Sequence, residues 1–339
     1  MYAQPATAQV NSPASTRGVS QANLSGSTLT LHAVSTLNVA SELGGAFKSG
    51  SKCDADGNLY IRKFALDRPL LGPVVKIDRD GKRVALFDPA AFAGLGLDRA
   101  DGFSPAADGG IYQIAQKGVT NPRIYVLHFG SDGAASAPVM LDADLEVYTF
   151  AAFAEGNFLV SGVRREVQNR KDRGRNFTAV FSADGRELKQ LSFPGGADSA
   201  HAKTTADDEA SPMLDLADAE VGGDGNLYVM RRSVPALIYV IAPSGKIMRM
   251  IKVAAPAAGA VPNVFHLSGN QLALSFGSEQ GDAMTMVVVD AQTGRRISSY
   301  ADPGGLGPSF SCFAANEGAF TFLKLGESNE LEVIRAEAQ

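Results

Sequence analysis

KCDADGNLYIRK (residues 52–63) and EVGGDGNLYVMR (residues 220–231) lie far apart in the chain, yet each joins two apolar runs through a short acidic turn that ends in glycine. Asp-Gly and Gly-Asn steps accept the positive φ of a tight turn, and the β-formers that follow, Leu59-Tyr60-Ile61 and Leu227-Tyr228-Val229, read as the return strand of a hairpin. Four further segments repeat the pattern: SPAADGGIYQIA (104–115), AAFAEGNFLVSG (151–162), VFHLSGNQLALS (264–275) and FAANEGAFTFLK (313–324). Their turn glycines recur at intervals of about 44 to 52 residues, except for one of about 69 between Gly156 and Gly225.

Between these copies lies a second hairpin, seen in VVKIDRDGKRVALF (74–87), TAVFSADGRELKQLSF (178–193) and IYVIAPSGKIMRMIKV (238–253). Two hairpins per repeat make four strands, which is the unit of a β-propeller blade. The last repeat lacks a fourth strand, while residues 28–40 alternate apolar and polar side chains with no hairpin partner of their own. The sequence therefore predicts an all-β, six-bladed β-propeller over residues 28–339, with the N-terminal strand completing the last blade and removing an exposed edge.

Composition agrees with many short strands: 45% hydrophobic residues, 20% charged, and 36 glycines with 16 prolines to turn them. A net charge of −5 gives no global basic field, so nucleic acid is not an expected partner. No run approaches the roughly 18 apolar residues of a transmembrane helix. Residues 1–27 read as a flexible leader rich in Ala, Ser, Gln and Pro. Ala3-Gln4 suits the pair after a removed export signal, although an added start methionine on a trimmed chain gives the same pattern. A periplasmic or secreted monomer is the expectation.

In DADGNLYI and GGDGNLYV the chain resembles the six-bladed propellers of the NHL and SMP-30-like group, over residues 28–339. That group includes lactonases, lyases, receptor modules and scaffolds, so the resemblance implies architecture more than activity. It implies one specific alternative, a metal-dependent hydrolase of lactones or small esters. Asp101, Asp218 and Asn263 would then hold a divalent cation, Ca or Zn, in the channel. The chain departs from that pattern where the hydrolases enter the first blade with Glu-Gly-Pro, because Lys48-Ser49-Gly50-Ser51-Lys52 stands there instead. The histidines His32, His128, His201 and His266 are not grouped at ligand spacing, which sets the chain apart from zinc-dependent lyases of the group. The absence of Trp removes the WD-type signature.

Two features locate a binding face. The ends of the second strands carry Arg62, Lys63, Lys117, Arg164, Arg165, Arg231 and Arg232, whereas the hairpin turns carry acids such as Asp54, Asp80, Asp108 and Asp224. Cations around a concave opening would concentrate a small anionic ligand or an acidic protein partner. The bland alternative is a solvated rim paired with nearby acids. His266 lies on an inner strand near the channel, and the expected role is ligand binding with no cofactor. Cys53 and Cys312 fall on the inner strands of the first and last repeats with the same side-chain parity. They either clasp the ring as a disulfide or fill space near the axis as two thiols. The long interval contains His201 and Asp207-Asp208-Glu209, which match no calcium or zinc pattern and read as disorder.

Overall fold

The computed structural model describes residues 28–43, 47–63, 67–119, 122–142, 145–164, 175–193, 216–278, 281–307, 309–326 and 330–338. The leader 1–27, Arg165, His201 and the acidic run at 207–209 lie outside the described residues. Among the described residues the first strand is β1 (Leu29–Asn38). The first sheet follows as β2 (Phe47–Cys53), β3 (Leu59–Lys63), β4 (Val74–Ile77) and β5 (Arg83–Phe87). The second is β6 (Arg99–Pro105), β7 (Ile111–Lys117), β8 (Arg123–Phe129) and β9 (Val139–Met140). The third is β10 (Leu145–Ala152), β11 (Phe158–Arg164), β12 (Arg175–Phe181) and β13 (Glu187–Gln190). The fourth is β14 (Leu216–Val221), β15 (Leu227–Arg231), β16 (Ala236–Ile241) and β17 (Ile247–Val253).

The remaining strands are β18 (Ala260–Ser268), β19 (Gln271–Ser278), β20 (Gly281–Asp290), β21 (Arg296–Ala301), β22 (Phe310–Ala314), β23 (Ala319–Leu325) and β24 (Leu331–Ala338). Together with β1 they form one eight-stranded sheet in the order β18-β19-β20-β21-β1-β24-β23-β22. Within it, β1 runs antiparallel to β24 from Leu31↔Ala338 to Asn38↔Glu332. Its link to β21 is parallel and confined to Leu29↔Tyr300 and Thr30↔Ala301.

Strands β2, β6, β10, β14, β18 and β22 contact one another in that order, and β22 returns to β2. These inner strands surround an axis, and the sheets radiate from it with apolar clusters between neighbours. Tyr60, Phe87 and Phe129 pack between the first and second sheets, and Val229, Tyr239 and Phe153 between the fourth and third. Leu59, Ile77, Leu323 and Val333 close the ring between the last strands and the first sheet. Burying each such side chain contributes about 1.5–3 kcal/mol, which ties radial sheets together without interstrand hydrogen bonds. The pattern fades outward: every residue of β16 is buried, while β13 is exposed throughout and carries Glu187 and Lys189, charges that blunt a free edge.

Turn chemistry explains why the glycine pattern was readable. Gly57 has φ 79° where Asp54 Oδ1 accepts from the amides of Asp56 and Asn58, and Tyr60 closes the motif by donating to Asp54 Oδ2 over 3.1 Å. At Gly133, φ is 85° and a Cβ would lie 2.5 Å from the carbonyl oxygen of Leu86 in the neighbouring sheet, so the turn itself packs against the next radial layer. The result is a β-propeller fold. Among the described residues no helix is long and apolar enough to cross a membrane.

Candidate functional site

Side chains from four inner strands meet at the axis. Lys52 of β2 donates to Oδ1 of Asp218 on β14 over 2.7 Å and to the carbonyl of Ala219 over 3.1 Å. Two residues on, Glu220 faces the same way and places Oε1 2.8 Å from Nδ1 of His266 on β18. Its other oxygen accepts from the amide of Leu267 at 2.9 Å, which fixes the carboxylate. His266 Nε2 meets the carbonyl of Ser311 on β22. Beside this group Cys53 and Cys312 form a disulfide, with Cα atoms 5.6 Å apart, and Ser51 donates to Ser311 Oγ at 2.7 Å. Burial pulls the pKa of His266 down, but the charge and hydrogen bond of Glu220, the Ser311 carbonyl and the more distant Asp218 together hold it above the ordinary histidine value.

Glu220 was not singled out from sequence, and Lys52 only as a cation in an unexpected place. Glu220 does share its alternation with Asp218, so a search for acids on the inner strands would have found both. Nothing local pairs either one with a residue on another inner strand.

The second-strand cations do not share one environment. Arg62 is 7% exposed and reaches the next inner strand, where Nη2 meets the carbonyl of Ala100 and Nη1 lies 3.4 Å from Asp101. Burial lowers its pKa despite the Asp101 charge. Arg231 is buried too, and its Nη1 has no hydrogen-bond partner among the described residues. Neither guanidinium stands on an open rim. Lys117 and Arg232 are exposed, and Lys63 is half-buried within electrostatic reach of Asp88. Arg164 ends β11.

Two of the three candidate metal ligands already face cations. Asp101 is held by Arg62 and Arg99, and Asp218 by Lys52. Asn263 is exposed on β18. Among the described residues no group of three His, Cys, Asp or Glu is arranged to hold a metal. Each inner strand has a register shift upstream of its turn, between Ala100 and Phe103, Leu216 and Asp218, and Pro262 and Phe265 in these three cases. A bulge reverses the alternation beyond it, so parity counted from the turn no longer says which side chains share a face. Asp101 and Asn263 lie inside such shifts, whereas Cys53, Asp218, Glu220, His266 and Cys312 lie on the turn side of theirs, where the count holds.

At the opposite strand ends, a cleft opens between the second and third sheets. Ile114, Ile124 and Val147 form its apolar floor, and Arg99, Asp101, Gln116, Glu146 and Tyr148 supply its polar and aromatic lining. Arg99 commits its Nε to Asp101 and is 42% exposed, while Tyr148 is 58% exposed at the edge. Concavity, an apolar floor and a few converging polar groups are the ordinary makings of a small-ligand site.

No family model matches the chain, and no curated protein matches its sequence. Solved structures do. A luciferin-regenerating enzyme superposes with a TM-score of 0.51 at 12% identity, covering 90% of this chain and 95% of that one. The Dos1 propeller gives 0.42 at 12% identity over 87% and 81%, and a protein of unknown function from Bacteroides caccae gives 0.40 at 14% identity over 76% and 80%. At such identities the first of these likenesses speaks to fold alone, and the fold it shares with this chain is the β-propeller.

Proposed function

We propose that the chain is a six-bladed β-propeller of an oxidising compartment, of the NHL and SMP-30-like kind, that binds a carboxylate-bearing ligand without catalysis at its strand-end face. Six blades follow if the eight-stranded sheet is divided at the two-residue contact between β1 and β21. The six apolar clusters found between successive sheets support that division. The oxidising compartment is supported by the pairing of both cysteines.

The observation that carries binding is the cleft between the second and third sheets. Arg99 uses only part of its donor fork on Asp101 and offers the rest to a carboxylate, and Tyr148 gives an aromatic edge for the ligand body. Arg62 supports the site from behind by holding Asp101. A hydrolase reading draws on the SMP-30-like resemblance, but Asp101 and Asp218, which it needs free for a cation, are tied to Arg and Lys.

A thermal-shift panel of succinate, citrate, benzoate and an acidic peptide, run on the wild type and on Arg99→Ala and Tyr148→Ala, tests the reading. At least one small carboxylate should raise the wild-type midpoint, and Arg99→Ala should abolish the rise. A panel that leaves the wild type unmoved, or a shift that survives Arg99→Ala, overturns it. A response to the peptide alone replaces the small ligand with a protein partner.

A further inference from the structure

The disulfide at the axis is independent of the cleft and has an unusual neighbour. Cys53 Sγ lies 3.9 Å from Nδ1 and 3.8 Å from Nε2 of His266. The two ring nitrogens face the Glu220 carboxylate and the Ser311 carbonyl, groups that only accept, so the surroundings favour the doubly protonated imidazolium. A fixed cation against one sulfur stabilises the thiolate that this sulfur becomes on reduction, and so favours the reduced state. The two sulfurs are not equally accessible: Cys53 is half-buried, whereas Cys312 is 5% exposed.

We propose that the Cys53–Cys312 disulfide is a redox-active centre that exchanges with dithiol substrates. Cys53 is the sulfur attacked, and His266, held by Glu220, is the cation that stabilises its thiolate. One thiolate of the substrate attacks Cys53 Sγ. The bond to Cys312 breaks, its electron pair leaves with Cys312, and that sulfur takes a proton from solvent. The second thiolate of the substrate then attacks the substrate sulfur of the mixed disulfide, and Cys53 leaves as a thiolate beside His266. The dithiol is oxidised to a disulfide and the cysteine pair is reduced. Of the two protons the dithiol gives up, the equivalent of one ends on Cys312 and the other in solvent. A low-molecular-weight disulfide drives the same steps backward and restores the bond.

Reduction need not open the ring. The β1–β24 ladder and the cluster containing Leu59, Ile77 and Val333 join the same two ends of the chain. The charged and titratable groups facing His266 are Glu220 and Asp218 from β14 and Cys53 from β2. Lys52, next to Cys53 in sequence, is held by Asp218, and β22 contributes a carbonyl and the ring of Phe310. The imidazole of His266 is thus in direct contact with the sulfur.

Dithiothreitol is the probe, with iodoacetamide trapping thiols on the folded full-length chain and peptide mass spectrometry assigning them. Millimolar dithiothreitol should reduce the bond without denaturant while the circular dichroism spectrum is unchanged. At about pH 6, Cys53 of the reduced wild type should alkylate at least about tenfold faster than a peptide thiol, because its thiolate persists there. His266→Gln should return it to the peptide rate. If that variant fails to fold, Glu220→Gln should slow alkylation in the same direction, and the wild-type profile against the peptide decides alone. A bond reducible only on unfolding, or a reduced Cys53 with the peptide's pH profile, overturns the proposal.

Discussion

Lys52 Nζ lies 2.7 Å from Oδ1 of Asp218, although the two residues belong to inner strands on opposite sides of the ring. The pair crosses the axis and fastens the first sheet to the fourth, a connection that the interfaces between neighbouring sheets do not supply.

Removing one member leaves the other charge in a largely desolvated place, with side-chain exposures of 12% for Lys52 and 29% for Asp218. Lys52→Met and Asp218→Leu should each destabilise the chain by about 2 kcal/mol in urea unfolding. The double variant should lose much less than the sum, because no orphaned charge remains. Additive losses would mean that the two side chains act separately.

The disulfide closes a loop over a sequence separation of 259 residues. In the chain-entropy account a loop of this size contributes about 5.5 kcal/mol, an upper figure that native-state strain reduces. Cys312→Ser should therefore lower the urea midpoint and steepen the slope, because the unfolded chain without the crosslink is less compact, and dithiothreitol should lower the wild-type midpoint to the same value while leaving the variant alone. A wild type insensitive to reductant at equilibrium contradicts this.

These contacts show what the sequence could and could not disclose. Hairpins were legible because a turn glycine such as Gly57 or Gly133 is demanded by local backbone geometry. The pairing of β1 with β24 was legible because a strand without a partner and a repeat missing a strand imply each other. The shared parity of Cys53 and Cys312 was legible because both lie on the turn side of their bulges. Asp101 and Asn263 lie inside the bulges, where the count from the turn fails. The direction of Arg62, inward to Ala100, depends on how two sheets meet. Lys52 with Asp218, and Glu220 with His266, are pairings across the ring, and no pattern within one repeat encodes them.

The His266 environment also sets a pH dependence. Its folded-state pKa stands above the ordinary 6.5, so its contribution to stability is complete below about pH 6.5 and is lost as pH rises through the folded value. Stability should fall above pH 6.5 by at most about 1.4 kcal/mol per pH unit, and Glu220→Gln should flatten that limb. The acid limb belongs to other groups. Burial raises the pKa of Asp88, but the Arg68 guanidinium at 2.7 Å and the amide of Ala90 outweigh it and hold the carboxyl below 3.8. That contribution is present above about pH 3.8 and disappears as the pH falls through the lowered value. Denaturant midpoints across pH, with an NMR titration of the imidazole, separate the two limbs.

The closing strand gives the sharpest contrast between neighbouring positions. Leu31 is fully buried among Phe320, Phe322 and Ile334, while Val34, three residues on, is 46% exposed at the bulge between Ala33 and Ser35. Leu31→Asp forces a carboxylate into an apolar cluster that offers it no partner, at a cost of about 3 kcal/mol or more, whereas Val34→Asp should change stability by less than about 0.5 kcal/mol. If β1 is what seals the edge of β24, the two variants should also differ in solution. Leu31→Asp loosens the seal and presents β24 as an open edge, which favours association, so it should elute partly as oligomers on size exclusion while Val34→Asp remains in the wild-type peak. Equal stability of the two variants would mean that β1 lies on the propeller without closing it.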